Sequence, residues 1–300
     1  MLVENSPIIA FARSIAVLSI ALPFLGAIAA LVWACNSGVT ALNLGLLLGM
    51  YILNGIGIEI GFHRYFAHSS FQTNRVIRSL LAILGNMGVQ GPVLHWVSNH
   101  RRHHQYTDVT GDPHSPHLSN KVFLSQIRGL WHAQVGWIAD SMLTNPEVYA
   151  KDILRDSWVM KLDQLSFLWV GLGIVGPGLI ARLITGTWVG GIQGMLWGGL
   201  LRIFIGQHVT GLVNSVCHYY GNCPFESGDR ATNCPWLAIP TFGGSWHNNH
   251  HAFPTTAINQ LEWWQLDPSG LLIRILEAVG LVWDVKVPSR SLIKAKQRQH

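Results

Sequence analysis

Of the 300 residues, 15 are histidine, and nine of these fall into four short groups. His247, His250 and His251 follow an HxxHH spacing, and His100, His103 and His104 repeat it. His63 and His68 form a looser pair, and Asn214 lies four residues before His218. On a helix, positions i, i+3 and i+4 share one face, so each HxxHH is expected to aim three imidazoles at one point. Neutral imidazole is a preferred ligand of borderline metals such as iron and zinc. One HxxHH alone is as readily a solvated helix face; two copies with the flanking pairs point to metal. The whole set exceeds what one ion can use, which predicts two. Glu59 stands one turn before His63 and either orients that imidazole or is an interfacial acid. Asp112 and His114 sit in a Pro-containing loop, where they either support the ligands through hydrogen bonds or simply form the turn.

The elements that must hold these groups are apolar. Hydrophobic residues make up 49% of the chain, charged residues only 12%, and 13 residues are Trp. The mean hydropathy is +0.28. No Lys or Arg occurs between Arg13 and Arg64. About 20 apolar residues cross a bilayer, which predicts spans at about 10–34, 41–60, 165–184 and 189–212. The expected fold is an all-α integral membrane protein, with four transmembrane helices in two hairpins. A cytoplasmic helical cap, from 61–164 and 213–300, holds the two-metal site, and 1–300 form one domain. The basic residues cluster in the termini and the two large connecting segments, which places these on the cytoplasmic side by the positive-inside rule. All four polar groups then converge on one face. The first apolar stretch lacks a cleavage site and reads as a span, not a signal peptide. Cys223 and Cys234 bracket a loop and could pair, but reduced thiols are expected beside the histidines.

Three function classes fit poorly. The basic residues carry no groove-reading motif for nucleic acid. Metal transport would need ionisable ligands within the spans, which are nearly lacking. A haem needs paired histidines, and His208 is a lone intramembrane histidine.

His63-Arg64-Tyr65-Phe66-Ala67-His68, then His100 to His104, then His247 to His251, resemble in order and separation the three histidine boxes of the membrane fatty acid desaturases. The delta-9, stearoyl-CoA desaturase-like branch is most similar. The likeness extends through Asp112-Pro113-His114, Asn214-Ser215 with His218, and Trp246 to Pro254, covering roughly residues 40–290. What the resemblance implies is a mushroom of four membrane helices under a cap holding two irons. Carried over, His63, His68, His100, His103, His104, His218, His247, His250 and His251 are the ligands, and Asn214 acts through a metal-bound water. The implied reaction is O2-dependent insertion of a cis double bond, at delta-9, into a saturated acyl chain. Hydroxylation on the same scaffold is the alternative. Where the acyl-CoA enzymes carry Arg and Asp just before the second box, this chain has Ser98 and Asn99. An acyl carrier protein or a glycerolipid is therefore an alternative carrier to CoA. With no fused electron-transfer domain, a separate donor such as ferredoxin or cytochrome b5 is implied. The membrane implied is a bacterial inner membrane, a thylakoid or the endoplasmic reticulum.

Overall fold

The structure, a computed structural model, describes residues 7–117, 123–139 and 143–298. Four helical stretches are long and apolar enough to cross a membrane: Arg13–Ser37, Ala41–Ala67, Ser166–Thr185 and Trp188–His218. The first belongs to α1 (Pro7–Ser37), which is apolar on every side. Leu18, Leu22, Leu25 and Leu31 are exposed along it, as lipid-facing residues are. The second begins as α2 (Ala41–Gly55), where Thr40 accepts a hydrogen bond from the Asn43 N–H at 3.2 Å and caps the first turn.

Two of the four stretches run further than the sequence suggests. The span expected to stop at 60 continues as a wide, π-helical segment, Ile56–Ala67, that carries Glu59 and His63. The fourth runs α10 (Trp188–Gly194), a second π-helical segment (Met195–Leu201), α11 (Arg202–Ser215), then one tight turn to His218. The helices therefore continue past the expected span ends at 60 and 212. Polar residues that read as the helix leaving lipid are instead internal. Arg64 is 1% exposed and donates to both carboxylate oxygens of Asp267, at 2.8 and 2.9 Å, and to Glu59 at 3.2 Å. Arg202 is fully buried and spends its donors on the carbonyls of Met87, Gly173 and Gly198. Wide turns of this kind occur often at functional sites, because the extra residue redirects the side chains that follow.

The third stretch, α9 (Ser166–Thr185), packs closely on α10. A Cβ on Gly194 would lie 2.5 Å from the Pro177 carbonyl oxygen, so only glycine allows that approach. Beyond the spans come α3 (Arg75–Asn86), α4 (Val93–Tyr106), α5 (Phe123–Gln134) and three short helices, α6 (Pro146–Tyr149), α7 (Lys151–Arg155) and α8 (Ser157–Gln164). After the fourth span come α12 (His247–Ala252), α13 (Pro268–Ala278) and α14 (Arg290–Lys296). A two-residue antiparallel ladder, β1 (Gln72–Thr73) with β2 (Val282–Trp283), interrupts the otherwise helical fold. The main core lies where the second span meets α3 and α4, around Ile60, Phe62, Phe66, Phe71, Leu81, Val93 and Val97. Arg101 fastens α4 to this frame through the Phe66 and Ala67 carbonyls, each at 2.8 Å, and through Asp152. That core fixes α4 against the second span, and so fixes the histidines each carries.

Candidate metal centre

The nine histidines come together, but not box by box. His63, His68, His100, His104 and His250 form one group; His103, His218, His247 and His251 form another; within each the candidate ligand atoms lie within 4.8 Å of one another. In the first, Nε2 of His68 is 2.8 Å from that of His100, and Nε2 of His250 is 3.0 Å from those of His63 and His104. In the second, His218 and His247 approach at 2.9 Å through Nε2. The expectation that each HxxHH grips a single point is corrected here. On α4 the i and i+4 residues, His100 and His104, serve one group while His103 serves the other. On α12 the division repeats: His247 and His251 join His103, and His250 crosses to the first group. The physical reason is that α4 and α12 both pass between the two groups. One face of a helix subtends both, and the 100° step between neighbouring positions separates i+3 from i and i+4.

Carboxylates set the tautomers. Glu59 accepts from His63 Nδ1 at 3.0 Å, Asp112 from His103 at 3.0 Å, Asp108 from His218 at 3.0 Å and Asp229 from His251 at 2.7 Å. Glu59 and Asp112 are supports the sequence suggests; Asp108 and Asp229 are supports it hides. Asp108 reads as a loop former, and Asp229 lies 22 residues from its histidine, so no spacing ties them. His114 packs its ring 4.4 Å from that of His103. Its contribution to the support is its backbone N–H, which donates to Asp112 at 3.0 Å.

Burial disfavours the charged form of six of these imidazoles. Desolvation, followed by the neighbouring histidines, drives His68, His100, His104, His247, His250 and His251 well below the ordinary histidine range. Burial, helped by His103, brings His114 down to about 3. Burial opposes ionisation of Asp108, yet the hydrogen bond and charge of His218 hold it at about 2. Asp112 falls further, against the same burial, because His103 faces it. A neutral imidazole that gives its Nδ1 hydrogen to a carboxylate has only a lone pair at Nε2. In the pairs His63–His250 and His218–His247 the two Nε2 atoms lie about 3 Å apart, and the carboxylate-bound member of each brings a lone pair that a metal ion could use. The buried Nε2 atoms of His103 and His251 have no hydrogen-bond partner at all. The donor set therefore fits a metal ion in each group.

A cavity runs beside both groups and opens to solvent. His63 and His100 of the first group and His103 and His247 of the second line it, with Ile58, Trp96, Val209, Val213 and Phe242. Asn214 stands in this wall and not within either nitrogen group. Tyr51 closes one side by donating its hydroxyl to the Pro240 carbonyl at 2.6 Å. Ser98 and Asn99 are buried; Ser98 bonds back to Leu94, and Asn99 bonds to His95 and Thr144. Neither presents a surface to a head group. His208 lies against Phe204 and Gln134, with no second histidine beside it among the described residues. All four cysteines are free.

The fold and site together define a helical membrane protein whose buried histidines can hold metal beside an apolar cavity. The chain belongs to the fatty acid desaturase family, whose model matches residues 37–269. It is 44% identical over 278 residues to a hex-5-enoyl-[acyl-carrier protein] acetylenase of Moorena producens, covering 92% of this chain and 87% of that one. It is 36% identical to an sn-1 stearoyl-lipid 9-desaturase of Anabaena variabilis, covering 85% and 87%. It is 35% identical to delta-9 acyl-lipid desaturase 1 of Arabidopsis thaliana, covering 84% and 77%. The protein is accordingly an oxidoreductase of fatty acyl chains.

Proposed function

We propose that the two histidine groups hold two irons and that the protein uses O2 to place a cis double bond in an acyl chain lying in the cavity. The observation that supports this reading is the shared cavity wall: histidines of both groups line one largely apolar cavity. The balance is –CH2–CH2– + O2 + 2 electrons + 2 protons giving –CH=CH– + 2 water. Bound irons would supply the redox chemistry with O2 that an unactivated methylene requires and that zinc lacks. The protein's own part is positional. Glu59, Asp108, Asp112 and Asp229 fix the imidazoles, Asn214 holds a water at the cavity wall, and Ile58, Val209, Val213 and Phe242 keep bulk solvent from the chain. Likeness to the lipid 9-desaturases puts the bond at delta-9. Buried Ser98 and Asn99 favour an acyl lipid or acyl carrier protein over CoA as carrier. Electrons come from a separate protein.

A second reading rests on the 44% identity to the acetylenase. Here a short, already unsaturated chain on an acyl carrier protein loses two further hydrogens and becomes an alkyne. Assaying purified protein with a stearoyl glycerolipid and with hex-5-enoyl-acyl carrier protein, in parallel, separates the two. The first reading expects an oleoyl product, and the second an alkyne.

Supporting carboxylates and their neighbours should behave differently. Asp229→Asn is expected to lower turnover about 10–100-fold through misorientation of His251. His114→Ala is expected to keep most of the iron, because its backbone N–H bonds Asp112 whatever its side chain. Metal analysis of both variants checks this, and an iron-free His114→Ala protein would make that residue a ligand.

For topology, the reading is a single domain of two hairpins with both termini and the cap on the cytoplasmic side. Tags at each terminus and within 105–117 should be accessible from the cytoplasm only. A tag accessible from outside would separate the histidine groups and overturn the arrangement.

A further inference from the structure

Each double bond consumes two electrons beyond those the acyl chain gives up, so on the desaturase reading a reduced partner must reach the histidine groups. One surface leads to them directly. Helix α14 and its flanks carry Lys286, Arg290, Lys294, Lys296 and Arg298. The acids beside them are Asp284 and Glu226, and Glu226 is already paired with Arg298 at 3.1 Å. Arg290 and Lys294 are exposed and have no carboxylate partner among the described residues. The segment is built onto the third box. The Glu226 N–H donates to the Lys296 carbonyl at 2.8 Å, and the Arg298 N–H to that of Pro224 at 2.9 Å. Lys296 Nζ donates to the carbonyl of Ala252 at 2.6 Å and lies 5.5 Å from the Phe253 ring centre. Ala252 follows His251 in the chain. Phe225 and Phe253, their rings 5.3 Å apart and nearly fully buried, pack with Ala252 and with Ile293 of α14.

We propose that the basic face of α14 docks an acidic one-electron carrier protein, which delivers two electrons in turn to the histidine groups through the Ala252–His251 segment. Charge complementarity of this kind steers encounter and raises association rates, and it is weakened by salt. An acyl carrier protein is also acidic, but this segment does not line the cavity that receives the chain. Ile293 packs inward with Phe225 and Phe253, while Leu292 and Val287 are exposed beside the basic residues, so a lipid surface is the outcome that the anionic-nanodisc arm of the test separates.

The test uses the full-length, iron-loaded protein in nanodiscs, with a plant-type ferredoxin and its NADPH-dependent reductase as the donor. For Arg290→Glu with Lys294→Glu, the KM for ferredoxin is expected to rise about tenfold or more, with kcat retained. Single turnover driven by dithionite should match the parent protein. In the parent itself, the KM for ferredoxin should climb with NaCl, a measurement that holds even if the variant fails to fold. A KM that neither responds to salt nor to charge reversal overturns the proposal. So does a rise confined to the KM of an acyl carrier protein substrate, or an effect seen only in anionic nanodiscs. If the parent protein gives no desaturated product even with dithionite, it is the desaturase reading that fails, not the dock.

Discussion

His250→Ala is expected to abolish turnover and to empty one metal position of two. Its Nε2 lies 3.0 Å from that of His63 and 3.0 Å from that of His104, so it joins the second span to α4 within the five-histidine group. The side chain is 1% exposed, and nothing else on α12 reaches that group. Removing it leaves buried, neutral imidazoles facing one another with one fewer donor and an unfilled cavity. Loss of a support around a ligand costs about 10–100-fold, so loss of the ligand should exceed the upper end of that range. His251→Ala should mirror it in the other group, leaving His103, His218 and His247. Purified parent protein should carry close to two irons per chain, and each variant close to one. Zinc found after overexpression would not count against the centre, because zinc fills such sites by its place in the affinity order. Normal activity from His250→Ala would remove the basis of the whole assignment.

The split of each HxxHH between two groups marks where the sequence stopped being legible. HxxHH spacing on a helix predicts a shared face, and His100, His103 and His104 do share one. The spacing carries no information about whether one target or two lie beneath that face, because this depends on how far apart the partner helices stand. His63, His68 and His218 settle it, and their positions come from two π-helical segments that no periodicity of the sequence announced. The same segments carry the helices past the expected span ends. Glu59, His63 and Arg64 look like residues leaving lipid, yet Arg64 is closed by Asp267, more than 200 residues away. Composition had no access to such a pairing. Local chemistry was more readable: Glu59 is one turn from His63 and Asp112 is nine residues from His103. Asp108 and Asp229 reach their histidines only through tertiary folding. Four apolar stretches were legible by length alone, since about 20 residues is what a bilayer demands.

The largest effect expected is on the lipids of a host that makes the protein. Cells with it should accumulate a monounsaturated acyl chain with a cis bond near its middle, absent in cells without it and absent when O2 is withheld. The wall of the cavity argues for this outcome over hydroxylation. Histidines of both groups line one cavity with Val209, Val213 and Phe242, and a chain bound there would have these side chains around it between the two losses of hydrogen. The same oxidant could return oxygen to the first carbon instead, and the competition is decided by whether the second hydrogen is within reach before that happens. Replacing both hydrogens of the methylene oxidised first by deuterium should slow the reaction, because breaking that C–H bond is the difficult step. Mass spectrometry of the acyl chains separates the products by mass: loss of two hydrogens for the alkene, gain of one oxygen, derived from O2, for the alcohol. A chief product carrying that oxygen would make the protein a hydroxylase on the same metal centre, and an alkyne from a short unsaturated chain would move the reaction to the acetylenase reading.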